Sequence, residues 1–101
     1  MSSLTYSVVG IGSVGSLIAY ALNYAKINPY LVIKDDKRRE FFVEQDGHAN
    51  RITGTYISFH DDRWLNSDVI ILCVKAYHID SILDKLRKVS NNSIVITCLL
   101  Y

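Results

Sequence analysis

Ser7-Val8-Val9-Gly10-Ile11-Gly12-Ser13-Val14-Gly15 is the stretch on which the reading of this chain turns. An apolar run at residues 4–9 leads into G-x-G-x-x-G, and a helical pattern follows over residues 13–27. Val8 and Val9 supply the β-branched bulk expected of a strand buried in a parallel sheet. Val14, Leu17, Ile18, Ala21, Leu22 and Ala25 recur at helical spacing and are expected to face that sheet. Asn28-Pro29 reads as the helix stop, because proline disfavours helical geometry in the residue before it. Strand, glycine turn and helix in this order form the first βα unit of a dinucleotide-binding fold. Gly10 lets the chain turn off the strand, and Gly12, lacking a Cβ, lets backbone approach a pyrophosphate. Gly15 lets the helix pack close to the strand. The helix N-terminus adds free N–H groups and a partial positive charge. The alternative is a glycine-rich turn in an α/β domain that binds nothing.

The chain has 101 residues, enough for one domain or part of one, and half of them are hydrophobic. The net charge of +1 gives no basic surface for nucleic acid; the one local basic cluster is Lys34, Lys37, Arg38 and Arg39. No apolar run reaches membrane-spanning length. Met1-Ser2-Ser3 lacks a signal-peptide layout, the first basic residue being Lys26, so a cytoplasmic protein is expected. Cys73 and Cys98 both lie in apolar, strand-like runs and are read as buried, reduced thiols. A disulfide or a metal site is the minor alternative, since the two lack ligand spacing and a nearby His pair.

Residues 30–33 read as the second strand. Asp35 lies twenty residues past Gly15, where an acid accepts hydrogen bonds from a ribose 2′-hydroxyl and favours NAD. The neighbouring cations Lys34, Lys37 and Arg38 would pair with a 2′-phosphate and favour NADP. Residues 38–45 are expected to form a short helix, followed by an Asp46-Gly47 turn. Residues 52–59 should hold one or two short β segments with a bend at Gly54. Tyr20 and Tyr24 are expected to pack at an edge, His48 and His60 to sit in exposed loops, and Asp61 and Asp62 to be unpartnered surface charge. Residues 68–74 are the clearest buried strand, residues 79–89 a helix, and residues 93–100 another buried strand. The order is that of a Rossmann-like α/β fold: a doubly wound, mostly parallel sheet with helices on both faces. Ligands in such sheets bind beyond the carboxyl ends of the strands, where residues 10–15, 34–38 and 75–78 should meet.

Val74-Lys75-Ala76-Tyr77, following the strand at residues 68–73, resembles the V-K-A-x-Q-like segment of the ketopantoate reductase (2-dehydropantoate 2-reductase) family. That family also begins with a strand and G-x-G-x-x-G. The resemblance covers nearly the whole chain and the N-terminal domain of the family. It implies NADPH-dependent reduction of ketopantoate to pantoate, a step towards pantothenate and coenzyme A. Its partners would be a dinucleotide and a small 2-keto acid. By position, Gly10, Ile11, Gly12, Ser13, Val14 and Gly15 would hold the pyrophosphate, with Lys34, Asp35, Lys75 and His78 also at the cofactor. An ammonium at Lys75 would attract phosphate or a substrate carboxylate. Three places depart from the family pattern: His78 stands for Gln, Asp35 for Arg, and Leu99-Leu100-Tyr101 occupies roughly the place of Gln-Asn-Gly, a motif either lost or lying just beyond Tyr101. The family's C-terminal helical domain, which supplies the catalytic lysine, is not expected within these 101 residues, so no catalytic residue is assigned here, and no metal ligand.

Two other functions fit the residues. One is a nucleotide-sensing regulatory module, like the ligand-gating domains of potassium channels, favoured by Asp35 and the short length. The other is a non-functional remnant. A homo-oligomer is expected, because the last strand is followed by no helix and leaves an edge or face uncovered.

Overall fold

The computed structural model describes residues 3–34, 40–75 and 79–98. Five parallel strands form the main sheet: β1 (Tyr6–Val9), β2 (Tyr30–Ile33), β5 (Thr55–Ser58), β6 (Val69–Leu72) and β7 (Ile94–Thr97). Their spatial order is β5-β2-β1-β6-β7. The strand order therefore reverses between β1 and β6, which opens a crevice at their carboxyl ends. A separate hairpin pairs β3 (Phe42–Gln45) with β4 (His48–Arg51). The helices are α1 (Ser13–Tyr24), a 3-10 helix (Asp62–Asn66) and α2 (Ile79–Leu86).

Alternation along the strands divides the core. Val8, Leu31, Ile33 and Ile71 face α1 and the hairpin, where Ala19, Phe41, Val43 and Ile52 meet them. Val9, Val32, Ile70 and Leu72 face the other side, against Trp64 and Leu65 of the 3-10 helix and Ile82 of α2. Helices thus cover both faces. Trp64 is fully buried and its Nε1–H donates to the Phe59 carbonyl at 3.0 Å, so the indole hides its surface without orphaning its polar atom. The starts of β1 and β6 are tied by Thr5 N–H donating to the Asp68 carboxylate at 2.8 Å and by the buried Ser7–Ser67 hydroxyl pair.

The packed face of α1 differs from the expected one. Gly15 and Ala19 are buried, with Val14, Ile18 and Leu22 half-buried beside them. Leu17 is 58% exposed, and Ala21 and Ala25 also face solvent. The turn at Gly10 sets the rotation of the helix, because only a residue without a Cβ can touch it. Proline does not stop α1 either. Lys26 adopts φ +63, its N–H donates to the Asn23 carbonyl at 2.8 Å, and Ile27 N–H donates to the Leu22 carbonyl at 2.8 Å. This paired ending closes the helix before Asn28-Pro29 is reached. Tyr20 donates its hydroxyl to Gln45 at 2.9 Å, whereas Tyr24 is solvent-exposed.

The segment expected as a second helix is β3, as far as it is described. Asp46 and Gly47 take φ values of +53 and +78, the left-handed pair of a two-residue hairpin turn whose twist matches its strands. Val43 points inward while Phe42 and Glu44 point outward, a period of two rather than 3.6. His48 therefore lies in β4, not a loop, though exposed as expected. β7 is also not buried: every residue in it is exposed, with Ile94 at 61% and Ile96 at 47%. It pairs with β6 along one edge, and none of its four residues belongs to either core cluster.

Candidate functional site: a crevice at the carboxyl ends of β1, β2 and β6

The glycines shape the crevice in three different ways. Gly10 leaves β1 with φ +93, its N–H donating to the Val32 carbonyl at 3.0 Å. A Cβ on Gly10 would lie 2.4 Å from the Cys73 carbonyl oxygen, so the turn can run against β6 only as glycine. A Cβ on Gly15 would lie 2.0 Å from the Gly10 carbonyl oxygen, so α1 seats on the turn because that atom is missing. Gly12 is the N-cap of α1, and a Cβ there would meet nothing within 4 Å. The space beside Gly12 is open, which suits close approach of a ligand to backbone.

The chemistry at the mouth of α1 favours an anion. Gly12 has no side chain with which to cap the helix, and the first turn carries no acidic residue. The first-turn N–H groups of a helix lack intrahelical partners and carry the positive end of its dipole. Lys34, at the end of β2, and Lys75, just past β6, are exposed on the same crevice. The crevice has a volume of about 550 Å³ and is lined by Gly10, Ile11, Gly12 and Ser13 together with these two lysines. Within it a phosphate group would meet backbone donors and two cations.

Of the residues read from sequence, these six line the crevice. Val14 and Gly15 do not: Val14 packs into the core and Gly15 lies buried under the turn. Asp35 and His78 lie outside the described residues, as do Lys37 and Arg38. The sequence reading missed the apolar wall, which includes Phe41, Phe59, Cys73, Val74 and Ile82, and the hydroxyl of Ser81. Phe59 reaches the crevice because β5 pairs with β2 and its N–H donates to the Ile33 carbonyl at 2.7 Å. For Phe59 and Cys73 the position directly after a strand was the available signal, whereas Phe41 precedes β3 and Ile82 lies within α2.

Asp61 and Asp62 stand away from the crevice and have partners, contrary to expectation. Asp61 caps the 3-10 helix by accepting from Arg63 N–H at 3.0 Å and pairs with the Arg63 guanidinium at 2.7 Å. Those hydrogen bonds hold its carboxyl below the usual carboxylate range. Lys85 Nζ lies 2.6 Å from Asp62 and lowers it in the same way. Among the described residues no group of three or more His, Cys, Asp or Glu could hold a metal ion, and no helix is long and apolar enough to cross a membrane.

Comparisons with known proteins agree with this architecture. Residues 6–100 match the family model described as ketopantoate reductase PanE/ApbA. A solved structure described as a ketopantoate reductase from Ralstonia solanacearum MolK2 superposes with a TM-score of 0.82 at 19% identity, covering 97% of this chain and 32% of that one. A dimeric ketopantoate reductase from Staphylococcus aureus superposes with a TM-score of 0.74 at 24% identity, covering 95% of this chain and 33% of its own. This chain spans about one third of the length of both. At these identities the superpositions show the fold, while no curated protein sequence matches. The family match over residues 6–100 places the chain in the ketopantoate reductase family, in its N-terminal domain.

Proposed function

We propose that this domain holds a nicotinamide dinucleotide, NADP in preference to NAD, for the reduction of 2-dehydropantoate to pantoate. The observation that carries the reading is the open space at Gly12, on an acid-free helix N-terminus flanked by Lys34 and Lys75. A pyrophosphate fits that donor set. The N–H groups of the first turn of α1 would hold it, and Lys34 would pair with a 2′-phosphate. The bound dinucleotide supplies the hydride. Lys75 draws the carboxylate of a 2-keto acid towards the same crevice. The apolar wall of Phe41, Phe59 and Ile82 excludes water from one side.

Proton delivery to the ketone oxygen requires a positioned acid. With Lys34 assigned to the 2′-phosphate, Lys75 is the candidate left on the described crevice, and in this family the catalytic lysine belongs to the C-terminal helical domain. The 101-residue chain is therefore expected to bind cofactor without turning over substrate. The setting proposed is the cytoplasm, where the free thiols of Cys73 and Cys98 persist.

Calorimetric titration with NADPH and NADH at low salt tests the cofactor half of the proposal. Tighter binding of NADPH, with the difference erased in Lys34→Ala, is the expected result. A preference for NADH would instead point to Asp35 on the ribose. NADPH oxidation in the presence of ketopantoate tests the other half, and turnover by this chain alone would show that a catalytic acid lies within it.

A further inference from the structure

Cys73 and Cys98 are distant in sequence, yet the sheet sets them side by side. β6 and β7 run parallel with Ile71 opposite Ile96 and Leu72 opposite Thr97, so the next pair in register is Cys73 and Cys98. The ladder continues to that point, with Cys98 N–H donating to the Leu72 carbonyl at 2.7 Å. Residues opposed in register project to the same face, and both cysteines pack into the cluster that holds Val8 and Ala19. Neighbouring strands stand about 4.8 Å apart, inside the roughly 4.4–6.8 Å between Cα atoms that a disulfide spans. Both thiols are free. Burial pushes the Cys73 thiol up to about 12, and the adjacent Cys98 thiol adds to the shift by charge and by hydrogen bonding.

The pair also touches the glycine turn. Cys73 lines the crevice. Its carbonyl oxygen sits 2.4 Å from where a Gly10 side chain would begin, and its Cβ 3.4 Å from where a Gly15 side chain would begin. The Cys73 backbone thus stands beside the turn in a place that only glycine leaves open, so displacement of Cys73 bears on the turn.

We propose that Cys73 and Cys98 form a redox-responsive dithiol: a peroxide closes a disulfide across β6 and β7, and the closure weakens ligand binding at the glycine turn. The second clause rests on the dinucleotide reading given under Proposed function. Cys98 is the more exposed of the two, so its sulfur meets the peroxide first. That sulfur attacks the O–O bond, becomes a sulfenic acid, and one water leaves. The Cys73 sulfur then attacks the sulfenic sulfur. The S–S bond forms, the S–O bond breaks, and the Cys73 proton leaves with the hydroxide as a second water. Two electrons pass from the pair to the peroxide. The scarcity of Cys73 thiolate at neutral pH makes the second step slow, so the pair responds to sustained oxidation.

The test treats the reduced chain with hydrogen peroxide, counts thiols with a maleimide and maps a tryptic digest by mass spectrometry. Cleavage after Arg63, Lys75 and Lys88 puts the two cysteines on separate peptides. The expected result is joint loss of both thiols within one chain and a linked peptide pair lighter by two hydrogens. Dithiothreitol should reverse it, and the oxidised chain should bind NADPH several-fold more weakly. Cys98→Ser should give no link and keep its NADPH affinity through the same treatment. Sulfinic acid without a link, or links between separate chains only, overturns the dithiol. A link with unchanged NADPH affinity overturns its coupling to the crevice. Failure of the reduced chain to bind NADPH would count against the dinucleotide reading, while the peptide link still decides the dithiol.

Discussion

Replacing Gly12 by valine separates ligand space from packing space. The backbone at Gly12 has φ −99, which any residue adopts, and a Cβ there meets nothing within 4 Å. The fold therefore loses only N-cap preference, about 0.5–1 kcal/mol. For a domain of this size that lowers Tm by roughly 2–8 °C. The branched side chain would fill the approach to the first-turn N–H groups of α1. A hydrogen bond to a charged acceptor contributes about 1.5–3 kcal/mol, so losing one should raise the Kd for NADPH roughly 10- to 150-fold. Calorimetric titration measures that Kd, and a thermal melt without ligand checks the fold. Native affinity in a folded Gly12→Val chain would refute the placement of the pyrophosphate. Gly15→Ala is the contrasting case. Its Cβ would stand 2.0 Å from the Gly10 carbonyl oxygen, a backbone atom that cannot turn aside. That variant should lose about 3 kcal/mol or more of stability.

Other perturbations test the scaffold. Trp64→Ala removes the largest fully buried side chain and its hydrogen bond to Phe59, and should cost about 3–5 kcal/mol in urea unfolding. Cys73, held near 12 in the folded chain against 9.0 for an ordinary thiol, keeps its proton more tightly when folded. The stability tied to that thiol is complete below about pH 9 and is lost as pH rises through about 12, so unfolding free energy should fall more steeply above pH 9 than in Cys73→Ala. β7 presents Ile94, Val95 and Ile96 to solvent on an edge without a charged residue. Such an edge favours self-association, so light scattering should find a dimer or larger species, and Ile96→Lys should shift it to monomer.

Local signals made the frame of this protein legible. The glycine motif, the apolar runs at β1, β2 and β6, and the periodicity of α1 and α2 each depend on residues close in sequence, where steric and hydrogen-bond rules act directly. The order of these elements implied the doubly wound sheet, and with it the meeting of Gly10–Ser13, Lys34 and Lys75 in one crevice. Asp46-Gly47 is also a local signal, for the two-residue turn that joins β3 to β4. What tertiary structure alone decided concerns neighbours brought together from a distance. The rotation of α1 depends on the contact between Gly15 and the Gly10 carbonyl, which helical spacing does not report. The exposure of β7 depends on what packs over it, and an isoleucine-rich run looks alike covered or bare. The partners of Asp61 and Asp62 follow from the 3-10 turn at Arg63 and from α2 bringing Lys85 across. Cys73 and Cys98 become neighbours because parallel strands joined by a helix place side by side residues that lie far apart along the chain.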